Sequence, residues 1–291
     1  MITIELTEQN IGQAVLDILQ QHIPAAPQSY LRQLLRRGKV CCEGIALDEK
    51  SRLHGHETLQ LPDSGRLREL CDSPLPKVTI LLETEAFLAV FKPAGLAVHS
   101  SVNHTEDNLT DRVRAIIHHR KAPYKVAPAH RLDIGTSGPV LFGKGRKSTA
   151  ELGRLLQAGQ INKTYLALVH GMPPESGTLT TEVQVQDKIK EAATRFRVRG
   201  RCGNAALLEI ELLSGRKHQI RQQCSDAGWP VYGDSRYGGP ALAGLNRMFL
   251  HCRQLTCSAA EETHPFCVSS PLPADLRTIL HTMHIDLPFP T

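Results

Sequence analysis

The sequence predicts an α+β fold in two parts, a small N-terminal α/β module over residues 1–61 and a larger domain over 78–291. Three observations carry this. Residues 9–61 combine two helical apolar patterns with a hairpin pattern and a closing strand. The stretch 62–77 gathers Asp63, Ser64, Gly65, Pro74 and Pro76 and reads as a linker. The remainder mixes many short alternating segments with a few helices, among them 109–119 and 148–156. At 291 residues the chain has room for a full core plus one small module, at roughly 100–200 residues per domain.

Within the module, residues 11–19 place apolar side chains at helical spacing on one face. A second helix starts at Ser29, a fitting N-cap, with Leu31, Leu34 and Leu35 inward and Arg32, Arg36 and Arg37 outward until Gly38 ends it. Lys39 extends the patch. Between Tyr30 and Val40 there are four basic residues and no acidic one, which makes a phosphate-binding face. Residues 40–47 then read as a hairpin and 53–61 as the closing strand. Further on, Pro139-Val140-Leu141-Phe142 reads as a buried strand and 162–171 as an alternating one.

A formal net charge of +5 and a pI near 8.8 suit an enzyme that meets a polyanion on one face. No apolar run approaches the length of about 18 residues needed to span a membrane, and residues 1–5 lead straight into polar sequence. A cytoplasmic protein without membrane association is expected. Eight cysteines, none in a two-residue-spaced pair, are expected to be free thiols. His251, Cys252, Cys257, His264 and Cys267 have irregular spacing for a metal site, so no metal is expected.

Three segments carry chemistry. In His130-Arg131-Leu132-Asp133, followed by Ile134-Gly135-Thr136-Ser137-Gly138, a carboxylate lies between cationic or ionisable side chains and a small-residue turn, the composition of an active-site loop. In residues 212–221 an apolar strand runs through Ser214-Gly215 into Arg216-Lys217-His218-Gln219-Ile220-Arg221, an anion-binding composition. In the strand Asn162-Lys163-Thr164-Tyr165, Tyr165 can offer an aromatic face to a flat ligand.

In order and spacing these segments resemble the RluA-type RNA pseudouridine synthases, whose hallmarks are a His-Arg-Leu-Asp loop, a Lys-x-Tyr strand and a Gly-Arg-x-His-Gln-Ile-Arg segment. The likeness continues through Lys92-Pro93-Ala94-Gly95, Gly228-Trp229-Pro230-Val231-Tyr232-Gly233-Asp234, Tyr237-Gly238 and Leu250-His251, and spans nearly all of 78–280. The N-terminal part resembles the S-four-like, or αL, RNA-binding module, with Glu43-Gly44 in place of Asn-Gly and Gly55-His56 in place of Gly-Asp. Ser214, Lys217 and Pro139 also depart from the family pattern.

The resemblance implies a central, mostly antiparallel mixed sheet with the cleft across it, and a cofactor-free isomerase of specific uridines in structured RNA. It implies that Asp133 acts as nucleophile or stabilises charge on the sugar, that Arg221 pairs with Asp133 through its planar fork, and that Tyr165 stacks on the uracil. Arg131 would fill the space left by the flipped base, and Lys92, Arg216, Lys217 and His218 would contact RNA or organise loops. Arg32, Arg36, Arg37 and Lys39 would form the module's RNA face. The module favours ribosomal RNA as the substrate of a monomeric enzyme, with transfer RNA the alternative and a non-catalytic assembly factor the rival class. A glycosidic hydrolase would need a second acid beside Asp133, whereas Asp226 and Asp234 read as loop supports.

Overall fold

The computed structural model describes residues 1–53, 57–72, 77–100, 107–185, 188–258 and 265–286. The chain divides into two compact units, Met1–Val78 with Ala97–Ala127, and Thr79–Leu96 with Pro128–Thr291. Residues 97–127, expected in the larger domain, thus fold with the first unit.

The first unit holds four strands, β1 (Ile2–Glu5), β2 (Cys41–Cys42), β3 (Ile45–Ala46) and β4 (Thr58–Leu61), in an antiparallel sheet ordered β1-β4-β2-β3. Helices α1 (Val15–His22) and α2 (Gln28–Arg36) turn Val15, Ile18 and Leu19, and Leu31, Leu34 and Leu35, into one core with Ile4, Leu59 and Leu61. The β2–β3 turn places Glu43 at φ 50° and Gly44 at φ 80°, the left-handed pair that a two-residue hairpin loop demands.

Two expectations are corrected here. The linker contains helix α3 (Gly65–Asp72): the Ser64 hydroxyl accepts the Leu67 N–H at 3.2 Å, and Leu67 is buried in the module's core. The leading residues form β1, with Ile2 and Ile4 paired along β4. Ser29 is not the cap of α2. Pro27 holds that position, and Ser29 gives its N–H (3.3 Å) and hydroxyl (3.0 Å) to the carboxylate of Asp111 in α4 (Leu109–His119). Asp111 also accepts from Asn108 Nδ2 at 2.9 Å, so a buried carboxylate fastens α4 to the start of α2.

The second unit carries β5 (Ile80–Glu83), β6 (Phe87–Lys92) and β8 (Gly138–Lys144), antiparallel in the order β5-β6-β8, while β7 (Val126–Pro128) spans the boundary between the units in sequence. After α5 (Gly145–Gln157) come β9 (Ile161–His170), β10 (Ser176–Val185), β11 (Lys188–Cys202) and β12 (Ala205–Leu212), then α6 (Gln219–Asp226), β13 (Leu250–Cys257), β14 (Phe266–Ser269) and α7 (Ala274–Thr282). Six of these strands form a sheet ordered β10-β11-β12-β9-β13-β14, antiparallel at every junction. Isolated parallel bridges join Ala97 to Asn108 and Ser137 to His251. Leu276, Ile279 and Leu280 of α7 pack on Leu166, Leu168, Leu207 and Phe249.

The join between the two sheets of this unit fixes the loop before β8. The Cys252 N–H donates to the Ser137 carbonyl at 2.8 Å, and Gly138 follows at φ 136°. A Cβ on Gly138 would lie 2.3 Å from the Cys252 carbonyl oxygen, so only glycine permits this approach. Gly138→Ala is expected to cost at least about 2 kcal/mol, read from the urea midpoint. Gly153→Ala in α5, where a Cβ meets nothing within 4 Å, is expected to gain up to about 1 kcal/mol.

Candidate active site

The Asp133 loop is held by buried backbone contacts on both sides. The Lys92 ammonium, 0% exposed at the end of β6, donates to the carbonyls of Pro93 (2.9 Å), Leu96 (2.8 Å) and Ile134 (3.1 Å). The Gly95 N–H adds a bond to the same Ile134 oxygen at 2.8 Å, and the Thr136 N–H closes the turn on the Asp133 carbonyl at 3.0 Å. Burial pushes the Lys92 amine down to about 7, opposed by the charge of Asp133 and reinforced by Arg247. Three carbonyl acceptors match the three donors of the ammonium form. On the far side the Ser137 hydroxyl bridges Arg247 Nη1 (3.0 Å) and His251 Nδ1 (2.9 Å), and His251 Nε2 reaches the Ser270 carbonyl at 3.2 Å.

The Asp133 carboxylate itself meets Arg221. Arg221 stands on α6, whose first residue Gln219 organises the basic turn before it. Gln219 Oε1 accepts from Ser214 Oγ (2.9 Å) and Arg216 N (3.0 Å), while Nε2 donates to the Ala193 carbonyl and Thr194 Oγ1. The Arg221 fork closes on Asp234, Nε to Oδ2 at 2.6 Å and Nη2 to Oδ1 at 2.8 Å, leaving Nη1 to donate to Asp133 Oδ2 at 3.1 Å. The expected bidentate pairing with Asp133 is therefore a single bond, and Asp234 takes the fork. Asp234, its neighbouring bonds and then Asp133 hold the guanidinium charge firmly, raising its pKa. The guanidinium also lies 5.0 Å from the Tyr237 ring centre.

A cleft of about 310 Å³ opens above this pair, lined by His130, Arg131, Asp133, Lys163, Tyr165 and the turn 215–221. Its size falls within the usual range of about 300–1,000 Å³ for ligand sites. Tyr165 is 6% exposed, and burial raises its phenol well above the ordinary value, with Cys252 and Asp133 adding to the shift. The phenol therefore stays protonated and supplies a neutral face. His130 accepts the Leu141 N–H through Nε2 at 3.1 Å, and burial, aided by Lys163, pulls it down to about 3. A neutral ring that spends its free nitrogen on the backbone is a structural hydrogen-bonder and supplies no catalytic proton.

With this geometry stand three findings from comparison. Residues 86–226 match the family model for RNA pseudouridylate synthase. The ribosomal large subunit pseudouridine synthase C of Escherichia coli K12 is 30% identical over an alignment covering 90% of this chain and 88% of that one. The chain belongs to the RNA pseudouridylate synthase family. It is an RluA-type isomerase that converts uridine in RNA to pseudouridine. The Haemophilus ducreyi protein of the same description is 28% identical, covering 94% of this chain and 93% of its own. The solved structure of human RNA pseudouridylate synthase domain containing 4 shares the fold at a TM-score of 0.62 and 23% identity, covering 72% of this chain and 94% of that chain.

The synthase cleft gathers Asp133, Tyr165, Arg221, Arg131, Arg216, Lys217 and His218, as the sequence leads one to expect. Arg131 and Lys217 are exposed at its mouth. Arg216 Nε is buried with no protein partner among the described residues. At φ 57° His218 starts α6, bonds the Tyr237 hydroxyl at 3.0 Å and approaches Asp133 at 3.7 Å, with burial lowering its pKa. Lys92 is corrected, since its amine is sealed among carbonyls and out of reach of RNA. Arg32, Arg36, Arg37 and Lys39 lie in the first unit. The first two share an acid the sequence reading passed over, Glu49, at 3.2 and 3.3 Å. Lys163 was missed as a wall of the cleft, although the Lys-x-Tyr pattern put it two residues from Tyr165.

Among the described residues no cluster of metal-ligating side chains forms, and no helix is long and apolar enough to cross a membrane. His251 is engaged with Ser137 and Ser270, and His264 lies outside the described residues. All eight cysteines are free thiols.

Lys92→Met is expected to abolish turnover while RNA affinity stays within about threefold, because it releases the loop and removes no RNA contact. Pre-steady-state turnover and filter binding read the two effects separately. His251, buried at 0% exposure, is pushed down to about 4 by burial. Between pH 6.5 and 4 the unfolded chain binds this proton and the folded one does not, so stability falls as pH falls through that window, by up to about 3 kcal/mol from this residue. Urea titrations across the window are expected to show a shallower slope for His251→Gln.

Proposed function

We propose that this synthase modifies specific uridines of large-subunit ribosomal RNA, with Asp133 as the carboxylate that acts on the ribose. One observation carries the reading: Asp133 is fixed by Arg221 beside the buried Tyr165 face in a cleft of nucleobase dimensions. The substrate class is supported by the relatives, which are described as ribosomal large subunit enzymes. The first unit serves RNA capture and the second the chemistry, in a cytoplasmic monomer.

Arg221 takes Asp133 Oδ2, and the only group near Oδ1 among the described contacts is His218 Nε2 at 3.7 Å, beyond hydrogen-bond range. Oδ1 is thus the oxygen available to ribose carbon 1′. The bond from uracil nitrogen 1 to that carbon breaks, its electron pair leaving with the base, while the carboxylate bonds to the sugar or balances its positive charge. The freed uracil turns against Tyr165, where stacking is worth roughly 1–3 kcal/mol. Carbon 5 then bonds to carbon 1′, any bond from Asp133 Oδ1 to that carbon breaking with its electron pair returned to the carboxylate, the carbon 5 proton is lost and nitrogen 1 gains one, so the product has the atoms of the substrate. Arg131, exposed beside the loop, takes the place of the extruded base, offsetting part of the few kcal/mol that unstacking costs. The unpartnered Arg216 Nε and the Lys163 amine supply donors for uracil carbonyls or phosphate.

Release of tritium from carbon 5 of labelled uridine tests this. The protein is expected to release tritium from large-subunit ribosomal RNA and not from transfer RNA, and Asp133→Asn to release none while still binding. Release by Asp133→Asn at the native rate would remove the carboxylate from the chemistry, and release from transfer RNA alone would reassign the substrate.

A further inference from the structure

A second cavity, of about 600 Å³, lies wholly within the first unit, between the start of α1, the start of α2 and the C-terminal half of α4 with the segment after it. Four cations line it, Arg32, Arg52, Arg114 and Lys125, against a single carboxylate, Asp17. Like charges are held together here: burial and the nearby Arg32 lower the pKa of Arg114, with Asp111, 3.7 Å away, opposing. Arg114 also contacts the Val126 carbonyl and Gln28 Oε1, each at 3.5 Å. Lys125 is exposed, as is Arg52, whose Nη1 donates to the Gly12 carbonyl. Half-buried Tyr124 adds an aromatic ring to the lining.

We propose that this groove is a second RNA site, taking a single-stranded segment of the substrate other than the target uridine. Phosphates would sit on Arg52, Arg114 and Lys125, and a base on Tyr124. The proposal rests on the reading of the first unit as RNA-binding, since Arg32 is shared between the groove and the basic face of α2. A concave cationic groove with an aromatic wall suits unpaired nucleotides, whose phosphates and ring faces are both accessible, better than the convex surface of a duplex. The site is composite. Neither the module 1–61 nor the segment 97–127 makes it alone, and Asp111 holds the two together.

The test uses the full chain and two probes, a short oligouridylate and a fully paired RNA duplex, with affinity read by fluorescence anisotropy across a salt series. The double variant Arg52→Gln with Lys125→Gln, both exposed side chains, is expected to weaken oligouridylate binding about tenfold. It should make the slope of log affinity against log salt shallower by roughly 1.4, at about 0.7 per single-strand phosphate contact, and leave duplex binding unchanged. Tyr124→Leu is expected to weaken oligouridylate binding at least fivefold with an unchanged salt slope. Arg37→Gln with Lys39→Gln, just after α2 and outside the groove, is the control. If the control lowers the slope and the groove variants do not, the groove proposal falls while the RNA role of the unit stands. If neither changes it, both fall. Equal losses for oligouridylate and duplex would overturn the single-strand assignment.

Discussion

The site depends on one arginine shared unequally between two carboxylates. Arg221 gives its fork to Asp234 and a single nitrogen to Asp133. The division follows from burial: Asp234 is 3% exposed and needs full compensation, whereas the Asp133 side chain is 18% exposed beside the cleft. Because the fork is already spent, the guanidinium cannot swing, and the Asp133 carboxylate keeps its partner at a fixed bearing. Such preorganisation avoids reorienting dipoles during reaction.

A second rule runs through the scaffold around it, that buried polar groups are satisfied by backbone. Lys92 saturates its donors on three carbonyls, His130 accepts a strand N–H, and Gln219 spans a turn and a strand. These bonds leave Asp133, Arg131, Lys163, Arg216, Lys217 and His218 among the polar side chains that line the cleft. Burial keeps both His130 and His251 neutral, so neither ring adds a charge that would compete with the ion pair.

Much of this was legible in the sequence, and the reasons for the rest are physical. The helix over 109–119 was readable from its helical period and the strand over 162–171 from its apolar content, although Tyr165 to Val169 are all buried and do not alternate, and Asp133, Tyr165 and Arg221 stood out through the family resemblance that their motifs carry. Helix α3 was hidden because Gly and Pro punctuation outweighed one buried leucine, and only the core shows that Leu67 has a partner. The role of Asp234 could not be read from spacing, since thirteen positions separate it from the Arg221 fork it fills. Lys92 was misassigned because charge alone says nothing of burial. The membership of 97–127 in the first unit was invisible for the same reason, as it turns on Asp111 reaching Ser29 across 82 positions.

Glu49 changes how the basic helix of the first unit behaves. Its carboxylate sits between Arg32 and Arg36, so on the RNA face proposed for this helix a phosphate would have to displace an internal anion as well as salt. That carboxylate is a tethered competitor, present at the same effective concentration whatever the buffer. It weakens the bound state more than the encounter, because approach is guided by the whole positive field while the final contact has to break a local pair. An enzyme that must let go of each modified RNA before taking the next gains a faster exit from such an arrangement, and gives up only affinity that would have slowed its cycle.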